Sequence, residues 1–427
     1  MIESTTDPIW HPFTQMKLAS PPIHIDSAKD CTLYAKDGKQ YIDAISSWWV
    51  NIHGHSNSYI AKQIAEQALK LEHVIFAGFT HTPAIDLAKN LIKILPDSIT
   101  KVFYSDNGST AVEVAIKMAL QYWHNQGVFQ KTKIIAFENA YHGDTFGAMS
   151  VGARSPFSAA FEKHLFQVHF IPTPNENNIE KLKEQLSALL DTDTIAAFIF
   201  EPLVQGASGM LMYKPEHLDE LLQLVKQKKV LCIADEVMTG FGRTGKNFAV
   251  DHLQQQPDLM CLSKGITGGF MPLGVTVCSQ NIYDAFYSNE MAKTFFHGHS
   301  YTANPLSCAA ANASLQLLLS DNCQTQIQTI TSSHERFADT IKHEAFVKEV
   351  RQQGTIIAIE LNTKEDSSYF NAIRNEIYEY CLGQGVLLRP LGNVIYIMPP
   401  YCITSDELEK IYTVIKNVIR LLKNKYQ

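Results

Sequence analysis

VLCIADEVMTGFGRTGKNFAVDHLQQQPDLMCLSKG, residues 230–265, is the stretch whose reading decides the fold. It contains two short apolar runs, 230–234 and 259–262, neither of which alternates with polar residues. Such a run is a strand buried on both faces, the kind found in a mostly parallel sheet covered on either side by helices. Each run ends in residues that are costly to bury: Asp235-Glu236 after the first, Ser263-Lys264-Gly265 after the second. In open α/β sheets ligands gather at the carboxyl ends of the strands, so an acid and a lysine stand where chemistry is done.

Further runs of the same kind lie at 102–105, 134–137, 195–200 and 274–278, with helical periodicity at 111–123 and 216–227. Strand alternating with helix makes the class α/β. The two ends differ. Residues 1–50 hold short β-like pieces and the pair Trp48-Trp49. From about 325 the pattern becomes α+β, with a strand at 354–360, a helix at 369–382, and short strands at 386–389 and 394–398. A last helix opens on capping-box spacing between Thr404 and Glu407, and Leu408, Ile411, Ile415, Val418, Ile419 and Leu422 form its apolar stripe. The expected division is a large domain, 54–324, and a smaller α+β domain built from both termini, 1–53 and 325–427.

A chain of 427 residues is too long for one small core. With 36 basic against 43 acidic residues its net charge is −7, which argues against a nucleic-acid partner, since that needs a basic face. No apolar run approaches the roughly 18 residues of a membrane span. Residues 1–10 have neither a basic flank nor an apolar stretch, so no secretory signal is expected. Eight scattered cysteines without a C-x-x-C pair read as buried, reduced thiols of a cytoplasmic protein.

Alone, an Asp at a strand end would more commonly cap a helix or pair with an arginine, and a Lys there would be a loop residue. Together they suggest a pyridoxal site. A lysine that forms an imine must be partly desolvated, so that it can be neutral and nucleophilic, and a carboxylate must meet the pyridinium nitrogen. Lys264 and Asp235 are the candidates. The phosphate needs its own seat, and the run 102–105 leads into Asp106-Asn107-Gly108-Ser109-Thr110 and then a helix. Backbone N–H groups at such a helix start hold a phosphate well, although Thr110 and Glu113 also fit a plain capping box. Tyr141-His142-Gly143 follows another strand and offers an aromatic ring to cover a cofactor. Trp48 and Trp49, adjacent on a strand, would point to opposite faces. Arg389, at a strand end, could clamp a carboxylate through two hydrogen bonds.

Two rival chemistries are visible. Gly240-Phe-Gly-Arg-Thr-Gly-Lys246 matches the first part of a P-loop, as in an ATPase or kinase, but Asn247 stands where the magnesium-binding Ser or Thr is required. His53-Gly-His55 and His297-Gly-His299 are H-x-H pairs with no carboxylate spacing to complete a metal site, so no metal is assigned.

The run from Ile233 to Lys246, followed by Pro257-Asp-Leu and Ser263-Lys264-Gly, resembles the signature of class III (ω-type) aminotransferases. One branch of that family is matched more widely, through Trp10-His-Pro-Phe-Thr14, Ser46-Ser-Trp-Trp49, Tyr141-His-Gly-Asp-Thr-Phe-Gly147, Val204-Gln-Gly-Ala-Ser-Gly-Met210, Arg389-Pro-Leu-Gly392 and Tyr396. Members of this branch convert 8-amino-7-oxononanoate to 7,8-diaminononanoate in biotin synthesis, with S-adenosylmethionine as donor. The resemblance implies a fold-type I homodimer with a mostly parallel seven-stranded sheet, pyridoxal phosphate as cofactor and active sites at the subunit interface. It implies that Lys264 holds the cofactor covalently, Asp235 pairs with its ring nitrogen and Tyr141 covers the ring. Gly108 and Ser109 would hold the phosphate, with His299 and Ser300 from the neighbouring subunit. Trp48, Trp49, Gly298 and Arg389 would contact the acceptor, Arg389 at its carboxylate, with Asp144, Arg243 and Tyr396 close by and Glu201 near the cofactor. Two positions depart from the pattern: Phe13 replaces the usual Tyr of the substrate site, and His299-Ser300 replaces Pro-Thr. A subgroup with the Phe13-like pattern uses L-lysine as donor, and a general ω-amino-acid aminotransferase would share Lys264 and Asp235.

Overall fold

A computed structural model describes residues 8–363 and 373–426. Residues 1–7 of the N-terminal segment and the first four positions of the helix expected at 369–382 lie outside the described residues; the helix itself runs Ile373–Gly383.

The large sheet has seven strands, in the order Ile99–Ser105, Gly274–Ser279, Leu259–Leu262, Leu231–Asp235, Ile195–Phe200, Lys133–Phe137 and His169–Ile171. All neighbours are parallel except Gly274–Ser279, which runs antiparallel to both of its own. The chain returns from Leu262 to Gly274 through a 3-10 turn at Lys264–Thr267 and two glycines of positive φ, Gly268 and Gly269. So short a return lacks a crossover helix, and only an antiparallel neighbour can be reached that way. The edge strand His169–Ile171 escaped the sequence reading because three residues are too few to carry a pattern.

Continuous apolarity is explained by cover on both faces. Along Ile195–Phe200, Phe198 and Phe200 join the core on one side while Ile199 joins the core on the other. Cys232 and Ala234 likewise face the first core, Leu231 and Ile233 the second. Helix Gly108–Asn125 covers the second face with small residues (Ala111, Ala115, Ala119), and Trp123 Nε1 donates to Ala196 O at 2.8 Å. Helix Pro215–Gln227 covers the first with Leu218, Leu221, Leu222 and Val225.

The ends of the chain meet. Strands Ile25–Lys29, Thr32–Ala35 and Gln40–Asp43 form a sheet that Val386–Leu387 joins, pairing parallel with Gln40–Asp43. Val347–Gln353, Ile356–Leu361 and Val394–Ile397 make a three-stranded sheet beside it. The strand expected at 386–389 stops at Leu387, since Pro390 follows Arg389 and has no N–H for a ladder. Helix Ser405–Tyr426 buries all six residues of its stripe. Thr404 N–H donates to Glu407 Oε2 at 2.8 Å and Glu407 N–H to Thr404 Oγ1 at 3.3 Å, a reciprocal capping box.

The Trp48-Trp49 pair sits on no strand. Ser46–Trp49 is a tight, irregular helical turn with positive φ at Ser46, Ser47 and Trp49. Asp43, fully buried, holds it: its carboxylate accepts from Ile45 N–H at 3.2 Å and the Ser47 hydroxyl at 3.0 Å. The Ser46 hydroxyl donates to Met398 O at 2.9 Å. All eight cysteines are free, and seven are buried. No helix among the described residues is long and apolar enough to cross a membrane.

Candidate active site

Lys264 follows strand Leu259–Leu262, and its backbone is left-handed at φ 47°. For a residue with a Cβ this conformation costs of order 1 kcal/mol and persists only where the surroundings impose it. Ser263 anchors the turn by donating to Leu273 O at 2.7 Å. The Lys264 amine lies 4.5 Å from the centroid of the Trp49 ring. Burial pushes its pKa down to about 8; Asp235 and Glu201 oppose the fall, and Arg243 adds to it.

Asp235 closes strand Leu231–Asp235, one parallel neighbour away. Its Oδ1 accepts from Val237 N–H at 3.0 Å, and its Oδ2 lies 2.7 Å from His142 Nδ1. Both side chains are buried, and His142 Nε2 meets no hydrogen-bond partner among the described residues. Tyr141 follows strand Lys133–Phe137; burial raises the pKa of its phenol, and Asp144 adds to the rise. Glu201 takes the backbone N–H of Tyr141 at 2.9 Å and of Gly206 at 3.0 Å. Burial, with Asp235 nearby, pushes Glu201 up to about 7, against the opposing field of His142.

At the start of helix Gly108–Asn125 the cap is Asn107, whose side chain accepts from Thr110 N–H at 3.0 Å while Thr110 Oγ1 accepts from Asn107 N–H at 3.1 Å. The capping box of Thr110 with Glu113 does not form, because Thr110 already lies inside the first turn. Glu113 instead reaches the next helix, accepting from Gly147 N–H at 2.6 Å and Ala148 N–H at 3.1 Å. Ser109 Oγ is bonded to Thr145, at 2.7 Å to the hydroxyl and 3.0 Å to the N–H. The packing here admits only glycine at two positions. A Cβ on Gly108 would stand 2.6 Å from Val237 Cγ1, and one on Gly143, at φ 126°, 2.3 Å from Ser109 Oγ.

These groups line one cavity of about 710 Å³: Gly108, Ser109, Tyr141, Asp144, Asp235, Lys264 and Trp49 of the expected residues, with His142, Thr145 and Glu201 beside them. A larger groove of about 1000 Å³ between helices Ser58–Ala68, Thr82–Ile92 and Pro305–Leu318 contains none of them.

Phe13, Trp48 and Arg389 form a second group outside that lining. The rings of Phe13 and Trp48 meet edge-on with centroids 5.6 Å apart, and the Arg389 guanidinium lies 4.8 Å above the Trp48 ring. The tryptophan pair thus divides: Trp48 is 40% exposed beside Arg389, while Trp49 is buried and donates through Nε1 to Tyr396 Oη at 3.0 Å. Arg243, fully buried, holds carbonyls of the turn and of the C-terminal loop, Trp49 O at 3.4 Å and Pro399 O at 2.8 Å. Gly298, His299 and Ser300 do not join the cavity. Gly298 and Ser300 are exposed on a loop where His299 N–H donates to Thr302 Oγ1 at 3.1 Å. Sequence reading gave His142 no separate role, although it adjoins Tyr141, and missed Phe157, whose ring lies 6.2 Å from Phe13.

The rival motifs take other places. Gly240 to Lys246 runs as turns toward a four-residue 3-10 helix, Ala249–His252, and Lys246 donates to Asp251 O at 2.8 Å. The element that follows the loop is that short 3-10 helix and not the α-helix whose N-terminus a P-loop needs. His53 is bonded to Ser314 and His55 to Asp43, so the two rings diverge; His297 pairs with Lys117.

The donor set fits pyridoxal phosphate. A buried lysine of lowered pKa and a carboxylate on the adjacent strand end share a cavity with the start of helix Gly108–Asn125, which lines it through Gly108 and Ser109. The Aminotransferase class-III family model matches residues 14–419. A protein of Synechococcus elongatus named adenosylmethionine-8-amino-7-oxononanoate aminotransferase is 50% identical over 419 residues, covering 96% of this chain and 98% of that protein. One of the same name from Staphylococcus aureus is 39% identical over 430 residues, covering 96% of this chain and 95% of its own. Among solved structures, the like-named protein of Methanocaldococcus jannaschii superposes with a TM-score of 0.91 at 36% identity over 97% of each chain. An amine transaminase from an uncultivated Pseudomonas species, solved with pyridoxal phosphate bound, does so at 0.91 and 30% identity, over 98% of this chain and 99% of that one. A match over nearly the whole chain, together with a site built for this cofactor, places the chain in the class III family of pyridoxal-phosphate-dependent aminotransferases.

Proposed function

We propose that this chain aminates 8-amino-7-oxononanoate to 7,8-diaminononanoate, a step of biotin synthesis, with S-adenosylmethionine as amino donor. The observation that carries the reading is the buried Lys264 amine against Trp49, in one cavity with the Asp235–His142 pair. The cofactor, when bound, supplies the electron sink that lets a carbon–nitrogen bond be broken and remade. Lys264 holds it and then, freed as a neutral amine, moves the proton at the reacting substrate carbon. Asp235, oriented by His142 and by Val237 N–H, faces the ring nitrogen. Tyr141 covers the ring, Asp144 supports its phenol, and Gly108 and Ser109 seat the phosphate. Arg389 takes the acceptor's carboxylate beside Trp48, while Trp49, anchored to Tyr396, bounds the pocket.

A homodimer belongs to the same reading. What supports it is the placing of Gly298, His299 and Ser300 on a loop outside the lining of their own cavity, flanked by the exposed Phe296 and Tyr301. His299 and Ser300 would complete the phosphate seat of the second copy, and Gly298 its substrate site. A cytoplasmic location is supported by the eight free thiols. The division at 53/54 and 324/325 is supported by the pairing of N- and C-terminal strands in one sheet.

Phe13 favours L-lysine as a second donor reading, since its phenyl ring has no hydroxyl to offer S-adenosylmethionine. The visible spectrum of the cofactor-loaded protein decides. Loss of the visible band on adding S-adenosylmethionine alone supports the first donor. Loss with L-lysine alone assigns the second. A band that neither donor changes moves the enzyme to another amine.

A further inference from the structure

We propose that Phe157 is a specificity-determining residue, the third member of an aromatic wall that covers the methylene chain of the acceptor. The inference rests on the acceptor proposed above. That molecule carries a carboxylate at one end, an amino ketone at the other and an apolar run of methylenes between. With Arg389 at the carboxylate and Lys264 at the ketone, the run must cross the surface between them. At the Arg389 end stands Trp48, whose ring lies 4.8 Å beneath the guanidinium. From Trp48 a row of rings runs through Phe13, 5.6 Å away, to Phe157, 6.2 Å from Phe13, and we assign the methylene run to this row.

Three features separate this wall from ordinary packing. The rings of Trp48, Phe13 and Phe157 are 40%, 48% and 45% exposed, and none belongs to a core cluster. Each is also held from below. Phe13 and the Trp48 turn stand on left-handed backbone. Phe157 sits on a turn locked by Ser155 N–H to Ser158 Oγ at 3.0 Å and Phe157 N–H to Ser155 Oγ at 3.3 Å, and Arg154 ties the same turn to Ser150 O at 2.9 Å and Gly152 O at 3.0 Å. Finally, Arg389 is ion-paired with no carboxylate among the described residues, which leaves its two donor edges for a ligand. Apolar rings carried on fixed turns beside a cation match a carboxylate at the far end of an aliphatic chain.

Steady-state kinetics on the cofactor-loaded full chain test this. Phe157→Ala should raise KM for 8-amino-7-oxononanoate about five- to tenfold with kcat within about twofold, the signature of uniform binding lost. Phe157→Leu should restore most of the loss. The donor half-reaction, followed by the visible band, should be unchanged, and the penalty should shrink for a shorter homologue of the acceptor. If wild type turns over 8-amino-7-oxononanoate and Phe157→Ala leaves its KM unchanged, this inference alone falls. Equal losses in the donor half-reaction and in KM would make Phe157 a structural residue and also overturn it. Wild type inert toward that acceptor would sink the substrate reading, and this inference with it.

Discussion

Lys264 combines two locally unfavourable features, a left-handed backbone and an amine removed from water. Its pKa of about 8, against 10.5 ordinarily, means that the folded chain binds a proton there less readily than the unfolded chain. Below pH 8 the folded state carries the whole cost of the buried charge. Between pH 8 and 10.5 the folded lysine has released its proton and the unfolded one has not, so the cost is relieved as pH rises. Lys264→Met should therefore stabilise the cofactor-free chain by about 3 kcal/mol at pH 7, with the gain fading toward pH 10.5, while abolishing turnover. Urea midpoints across that range read it, and a gain that does not vary with pH would contradict it. Gly143 makes the opposite point. Adding a methyl there collides with Ser109 and so disturbs the Ser109–Thr145 contact. Gly143→Ala should weaken cofactor affinity at least tenfold, as a fluorescence titration of the cofactor-free protein would show. The types of Lys264, Asp235 and Tyr141, and their places after strands, were readable in the sequence. The partner His142 was not singled out, because a histidine beside a tyrosine has no periodicity to mark its contact with an aspartate 93 residues away.

Among the elements, the last helix was the most legible, since its stripe and its cap are both local patterns. Ile415, fully buried in the stripe, should cost about 2–5 kcal/mol on truncation to Ala, measured by denaturant unfolding. The same helix brings Tyr412 to His334, whose Nδ1 lies 2.7 Å from the phenol and whose Nε2 lies 3.2 Å from Thr355 O. Burial pushes His334 down to about 3. The folded ring stays neutral while the unfolded chain takes up a proton below its ordinary 6.5, so stability is lost as pH falls from 6.5 toward 3. His334→Gln should flatten that acid limb; an unchanged slope would remove His334 from it. The irregular turn Ser46–Trp49 was misread as strand. Two adjacent aromatics have the composition of a strand, and the buried Asp43 that bends the chain acts through side-chain hydrogen bonds that no propensity encodes.

For the molecule as a whole, cofactor binding and folding are linked. Pyridoxal phosphate at a hundredfold its Kd should add about 2.7 kcal/mol to the loaded chain. Calorimetry of wild type and Lys264→Ala checks this, and the variant should retain only the part due to the phosphate seat and the ring contacts. The sequence by itself determined the seven-stranded sheet's central strands, the places of Asp235 and Lys264 at two strand ends, and the family. These depend on apolar runs buried on both faces and on residues at fixed offsets from them, which are local and therefore written in order along the chain. Only the tertiary structure decided that Trp49 serves the lysine and Trp48 the arginine, that Tyr396 reaches Trp49 across 347 residues, and that Phe157 joins Phe13. Those contacts join residues far apart in the chain, most of them on turns and loops, and packing of that kind leaves no period in the sequence to be read.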